Sequence, residues 1–129
     1  MPTSTMLRNR YVSDSVETMS PGRLIVALYD RALLDLDRAR AAIEGNDIGA
    51  AHEALVHAQD IVFELLHNLD TSRWPAGQQL ASVYQFVLEE LVAANVRKDI
   101  SHVDTCAQLL EPLRDAWRQA AGIAGSPAA

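Results

Sequence analysis

The chain is short of cysteine, aromatics and clustered positive charge, and each shortage removes a class of function. It has one cysteine, Cys106, in 129 residues. No internal disulfide can form, and a reducing compartment is the simplest setting. Aromatic residues make up 5% of the chain, which leaves a core of Leu, Ile, Val and Ala. Lys and Arg number 11 against 17 Asp and Glu, for a formal net charge of -6. With no dense basic block, that balance argues against a nucleic-acid binder and against an anionic membrane surface as partner. No apolar run approaches the ~20 residues of a membrane span. The opening MPTSTMLRNRYVSDS lacks the apolar core of a signal peptide. The expected protein is soluble and cytoplasmic.

What the chain does have is helical periodicity. Apolar residues make up 49% of it, enough for one packed domain. Gly and Pro gather at Pro21-Gly22, Gly45, Pro75 with Gly77, and Gly122 to Pro127. Between them the spacing predicts helices over about 21–44, 47–69, 78–94 and 100–120. Ser20 and Pro21 suit an N-cap and first helical position, and Asp47 can cap the second helix. Ile48, Ala51, Leu55, Ala58, Val62, Leu65 and Leu69 form an unbroken stripe in steps of three and four. Ile25, Leu28, Ala32, Leu36, Ala39 and Ile43 do the same in the first helix, Leu80, Tyr84, Val87, Leu91 and Ala94 in the third, and Val103, Cys106, Leu110, Leu113 and Trp117 in the fourth. Short connections make successive helices antiparallel. The expected fold is all-α, an antiparallel up-down four-helix bundle over 20–120, with a flexible N-terminal arm over 1–19 and a disordered tail over 121–129. Pro112 predicts a bend in the fourth helix.

Catalytic and metal-binding patterns do not assemble. Glu64 and His67 match the Glu-x-x-His unit of di-iron bundles, with Asp99 to His102 as the nearest second copy. With Val62 and Leu65 inward, Glu64 and His67 are expected to point outward, so the ligands do not converge. His52 and His57 lie off the stripe and suggest the alternative of a histidine phosphotransfer module, although no lysine or glycine follows at close spacing to hold a phosphate. Cys106 is read as an inert core thiol. The chain is read as a non-enzyme with no cofactor and no metal.

Apolar residues beyond the stripes need another explanation. Val56, Phe63 and Leu66 form a second line on the second helix, with Ile61 on the other side. Leu24, Val26 and Leu33 flank the first stripe, Phe86, Leu88 and Val92 the third, and Ile100 and Leu109 the fourth. Taken together they predict apolar surface for a partner, such as an amphipathic helix docking in a groove. The arm carries Met6, Leu7, Tyr11, Val12, Val16 and Met19. It either shields that groove or frays with a few staple contacts such as Met19 near Leu24, and the sequence leaves both open. Trp74 either caps the bundle end or touches a partner. A homodimer of the free chain through the same surface also stays open.

Tyr11, Val16, Thr18, Ser20-Pro21, Leu24-Ile25 and Leu28-Tyr29-Asp30 resemble the N-terminal signature of the FliS family of flagellar secretion chaperones. The likeness continues through Ala58-Gln59-Asp60-Ile61-Val62, Glu64-Leu65 and Leu69-Asp70, then Leu80, Tyr84, Leu91 and Ala94-Asn95. It ends with Leu109-Leu110, Leu113-Arg114 and Ala116-Trp117, covering about residues 11–118. The resemblance implies a cytosolic four-helix chaperone without catalytic residues. Its client would be the C-terminal segment of flagellin, disordered when free and helical when wrapped around the bundle. It further implies that the arm is displaced by the client, and that the complex docks on the cytoplasmic domain of the flagellar export-gate membrane protein. The residues expected to meet the client are Tyr11, Val16, Leu24, Val26, Leu33, Val56, Phe63, Leu66, Phe86, Leu88 and Leu109.

Overall fold

In a computed structural model, residues 20–72 and 75–123 are described. The expectations for the arm, for Trp74 and for 124–129 lie outside them. The described residues form four helices and no strand: α1 (Pro21–Glu44), α2 (Ile48–His67), α3 (Gly77–Arg97) and α4 (Ile100–Ala120). α1 and α4 match the expected spans. α2 stops at His67, two residues short of the expected end. α3 runs past Ala94 to Arg97.

Local chemistry sets these limits. The Ser20 hydroxyl accepts from the Arg23 backbone N–H at 3.2 Å, and Pro21 takes a place where no intrahelical donor is needed. Asp47 caps α2 by accepting from Ala50 N–H at 3.1 Å. Lys98 ends α3 in the left-handed region at φ 50°, and Asp99 starts α4 by accepting from Ser101 N–H at 2.8 Å. The helix runs on through Pro112 without a break. Gly77 begins α3 where the preceding turn folds back: a Cβ there would lie 3.0 Å from Thr71 Cα and 3.2 Å from the Asp70 carbonyl oxygen.

Each helix packs on its neighbours in the chain, and α4 closes the ring against α1. With connections this short the helices alternate in direction. The core follows the stripes through Leu28, Leu36, Leu55, Val62, Val87, Leu91, Val103 and Leu110. Four placements depart from the sequence expectation. Ile48 opens α2 and is 53% exposed, so its stripe begins to pack only at Ala51. Tyr29 and Ile61, beside the stripes, are fully buried. Leu33 is part of the core, and Val26 is buried as well, so neither is bare surface. Glu64 points inward, at 4% exposure. Ile48 is bare because it stands in the first turn of α2, whereas the others are buried because each helix is flanked by two neighbours, which covers a wider arc than a single stripe.

Candidate functional site

The starts of α1 and α3 meet the ends of α2 and α4 at one end of the bundle. A Cβ on Gly22 would lie 3.1 Å from the Ala121 Cβ, so the start of α1 sits directly on the end of α4. At this end the core stripes run on but do not close over. Leu113 and Trp117, expected in the core, pack against its edge and are only partly buried.

Two apolar clefts result. The first, of about 430 Å³, lies between α3 and α4 and is lined by Ala76, Gln79, Leu80, Val83, Leu113, Ala116, Trp117 and Ala120. Three of these are alanines, whose side chains end at Cβ and leave the space that larger residues would fill. The second, of about 400 Å³, is lined by Pro21, Leu24, Ile25 and Leu28 of α1, by Leu65 and Leu69, and by Tyr84 and Trp117, with Glu64, Asn68 and Asp70 among its polar groups. The Asn68 amide donates to the buried Glu64 carboxyl group at 2.7 Å, which gives it a hydrogen-bond partner.

Trp117 stands in the wall of both clefts. Beneath it the Tyr29 and Tyr84 hydroxyls lie 2.5 Å apart, both residues buried. Burial pushes the Tyr29 phenol well above the ordinary tyrosine range and raises that of Tyr84; hydrogen bonds from Tyr29 and then Trp117 oppose the rise at Tyr84, and one from Trp117 opposes it at Tyr29. Both hydroxyls therefore keep their protons at physiological pH.

The remaining polar groups tie helix to helix. His57 Nδ1 lies 2.5 Å from Asp35 Oδ2, joining α2 to α1. Arg118 reaches both Asp30 oxygens at 3.2 Å, joining α4 to α1. His102 Nδ1 lies 3.0 Å from Glu90 Oε2, joining α4 to α3. His57 is thus a half-buried partner of a buried carboxylate, not the exposed group its place off the stripe suggests. His52 is exposed and pairs with Asn95. Glu64 and His67 diverge, one buried and the other exposed and stacked on Phe63. Burial pushes the Cys106 thiol up to about 12, which makes it a poor nucleophile. Among the described residues no group of His, Cys, Asp and Glu is placed to hold a metal ion. No described helix is long and apolar enough to cross a membrane.

The residues expected from sequence to meet a partner are not gathered at one place. Leu24 lines the second cleft. Leu66, Leu88 and Leu109 are partly buried against the core, and Val56 is partly buried too. Phe63 and Phe86 are exposed, at 49% and 47%. Tyr11 and Val16 lie outside the described residues. By helical spacing Phe86 continues the Val83 side of α3 and Leu109 the Ala116 side of α4, so both extend the first cleft's flank. Phe63, Leu66 and Leu88 lie on the α2–α3 side. The cleft residues themselves, Val83, Leu113, Ala116 and Trp117 above all, are not among those the sequence assigns to a partner: Leu113 and Trp117 are assigned to the core. The available signal was the small-residue spacing Ala116, Ala120 beside a large apolar ring at a helix end.

Comparison with known proteins places this architecture. The family model of the flagellar protein FliS matches residues 4–124. The flagellar secretion chaperone FliS of Bacillus subtilis (strain 168) is 32% identical over 110 residues, covering 85% of this chain and 82% of that protein. That of Salmonella typhimurium (strain LT2) is 33% identical over 110 residues, covering 84% and 82%. That of Escherichia coli (strain K12) is 29% identical over 110 residues, covering 84% and 81%. With a four-helix bundle, a family match spanning nearly its full length and relatives of this similarity, the chain belongs to the FliS family of flagellar secretion chaperones.

Proposed function

We propose that this chain is a cytoplasmic export chaperone that captures the disordered C-terminal segment of flagellin and keeps it from polymerising before export. It acts by binding alone, without catalysis or cofactor, and passes its client to the cytoplasmic domain of the flagellar export-gate membrane protein. The observation that carries the reading is the pair of apolar clefts left open at one end of the described bundle. A client helix placing apolar side chains three or four residues apart suits such clefts. Each anchor buried contributes about 1.5–3 kcal/mol, so a few of them offset the entropy lost when a disordered tail folds. The tail then continues over the flanks that carry Phe86 and Leu109 on one side and Phe63, Leu66, Val56 and Leu88 on the other. In this reading the arm residues Tyr11 and Val16, close in sequence to Pro21 and Leu24, compete with the client.

Calorimetry with a flagellin C-terminal peptide tests this reading. Coupled folding and burial give binding with a large negative heat-capacity change. A peptide that fails to bind, or binds with no heat-capacity change, overturns it.

A further inference from the structure

We propose that the Tyr29–Tyr84 pair is a positioning device that holds Trp117 as the partition between the two clefts, so that a client is received in two separate places. The inference rests on the reading that client side chains enter those clefts.

Three placements carry it. Trp117 is the residue common to the walls of both clefts. Tyr84 lines the second cleft beside it. The Tyr84 hydroxyl meets that of Tyr29 at 2.5 Å, with the rings tilted and their centroids 6.3 Å apart. Tyr29 comes from α1 and Tyr84 from α3, helices at opposite corners of the bundle, and Trp117 comes from α4. The cluster thus crosses the diagonal of the bundle beside the second cleft.

The chemistry suits a fixed indole better than mere filling. Two apolar rings would pack here as well as two phenols do. A buried hydroxyl needs a partner, and one that has it fixes an orientation. An indole N–H is a donor only, whereas a phenol oxygen accepts. Trp117 packs against the core on one side and faces the clefts on the other. Rotation of an unanchored indole would widen one cleft at the expense of the other. An anchored indole keeps both open.

The test uses the full chain carrying Trp74→Phe, so that Trp117 is its sole indole. Tyr84→Phe and Tyr29→Phe remove a hydroxyl and keep the ring. The probes are two peptides from one flagellin C-terminal segment, one with a single amphipathic stretch and one with two in tandem. In the parent the indole N–H exchanges slowly with solvent, and the tandem peptide binds far more tightly than the single one. Both Phe variants stay helical by circular dichroism, shift the indole N–H resonance, and cut the tandem advantage at least tenfold. The double variant is no worse than either single one, because the two hydroxyls act as one unit. Fast indole exchange in the parent overturns the proposal without any variant. So does an unchanged resonance and tandem advantage in whichever Phe variant folds. If the parent binds neither peptide, the docking reading is wrong. If it binds both and ignores the hydroxyls, only the partition is wrong.

Discussion

His57 of α2 and Asp35 of α1 form a part-buried tie between the first two helices, with Nδ1 and Oδ2 2.5 Å apart and the aspartate side chain 2% exposed. Arg31, one turn back on α1, lies 3.4 Å from the same carboxylate. Burial raises the Asp35 pKa above its ordinary value, and His57, then Arg31 and Arg38, oppose that rise. His57→Ala removes one partner of a carboxylate that water does not reach. The expected loss is about 1–3 kcal/mol, read from the urea midpoint at neutral pH with helicity intact.

The same carboxylate gives a pH signature. A folded state with a raised Asp pKa holds the proton better than the unfolded chain does. That contribution is complete below the unfolded value and is lost as pH climbs through the folded one. Asp60, also raised by burial, has the same sign. Asp99, lowered by its bonds to Ser101, has the opposite sign and loses its contribution as pH falls. Wild type is therefore expected to lose stability relative to Asp35→Asn as pH rises through the range just above the ordinary aspartate value. Urea midpoints of both proteins across that range check this. A constant difference contradicts it.

Gly77 admits no side chain without moving the turn that precedes α3. The nearest atoms to an added Cβ are backbone, at Thr71 and Asp70, which cannot swing aside. Gly77→Ala is expected to destabilise by about 1–3 kcal/mol through overpacking, although alanine is the better helix former. A thermal melt decides between the two effects. A rise in Tm would show that the turn yields.

Filling the first cleft separates binding from folding. Ala116 is exposed at the cleft wall, so Ala116→Phe places a ring in open space. Stability is expected to stay within about 0.5 kcal/mol of wild type, while affinity for a flagellin tail peptide falls at least tenfold. Unchanged affinity on titration would place the client elsewhere.

Cleft and flank should also differ in degree. Phe63 is half exposed and stacks on His67. Phe63→Asp should leave the fold intact and weaken the tail several-fold. Leu113→Asp, inside the first cleft, should weaken it far more. The reverse order in paired titrations would move the main contact to the α2–α3 side.

The bundle was legible in the sequence because caps and apolar spacing agree. Ser20-Pro21 and Asp99 start α1 and α4 where expected, and the stripes through Leu36, Leu55, Leu91 and Leu110 are the core. Side positions were less legible. Glu64 falls outside the α2 stripe, yet it is buried beside Leu24 and Leu28 of α1 and accepts from the Asn68 amide. Leu33 looked surplus and is core, because α1 packs against both α2 and α4. The clefts were hidden for the converse reason. Leu113 and Trp117 keep the core spacing to the end of α4, and periodicity does not show where facing side chains become too small to close over them. Ala76, Ala116 and Ala120 mark that point only once the helices are brought together.

The most direct test follows side-chain methyl resonances of the full chain while a flagellin C-terminal peptide is added. The account expects the largest shifts at Leu80, Val83 and Leu113 of the first cleft and at Leu24, Ile25 and Leu69 of the second, with Leu55 and Leu110 of the closed core little changed. Shifts confined to Val56, Leu66 and Leu88, with the cleft methyls silent at saturation, would contradict it.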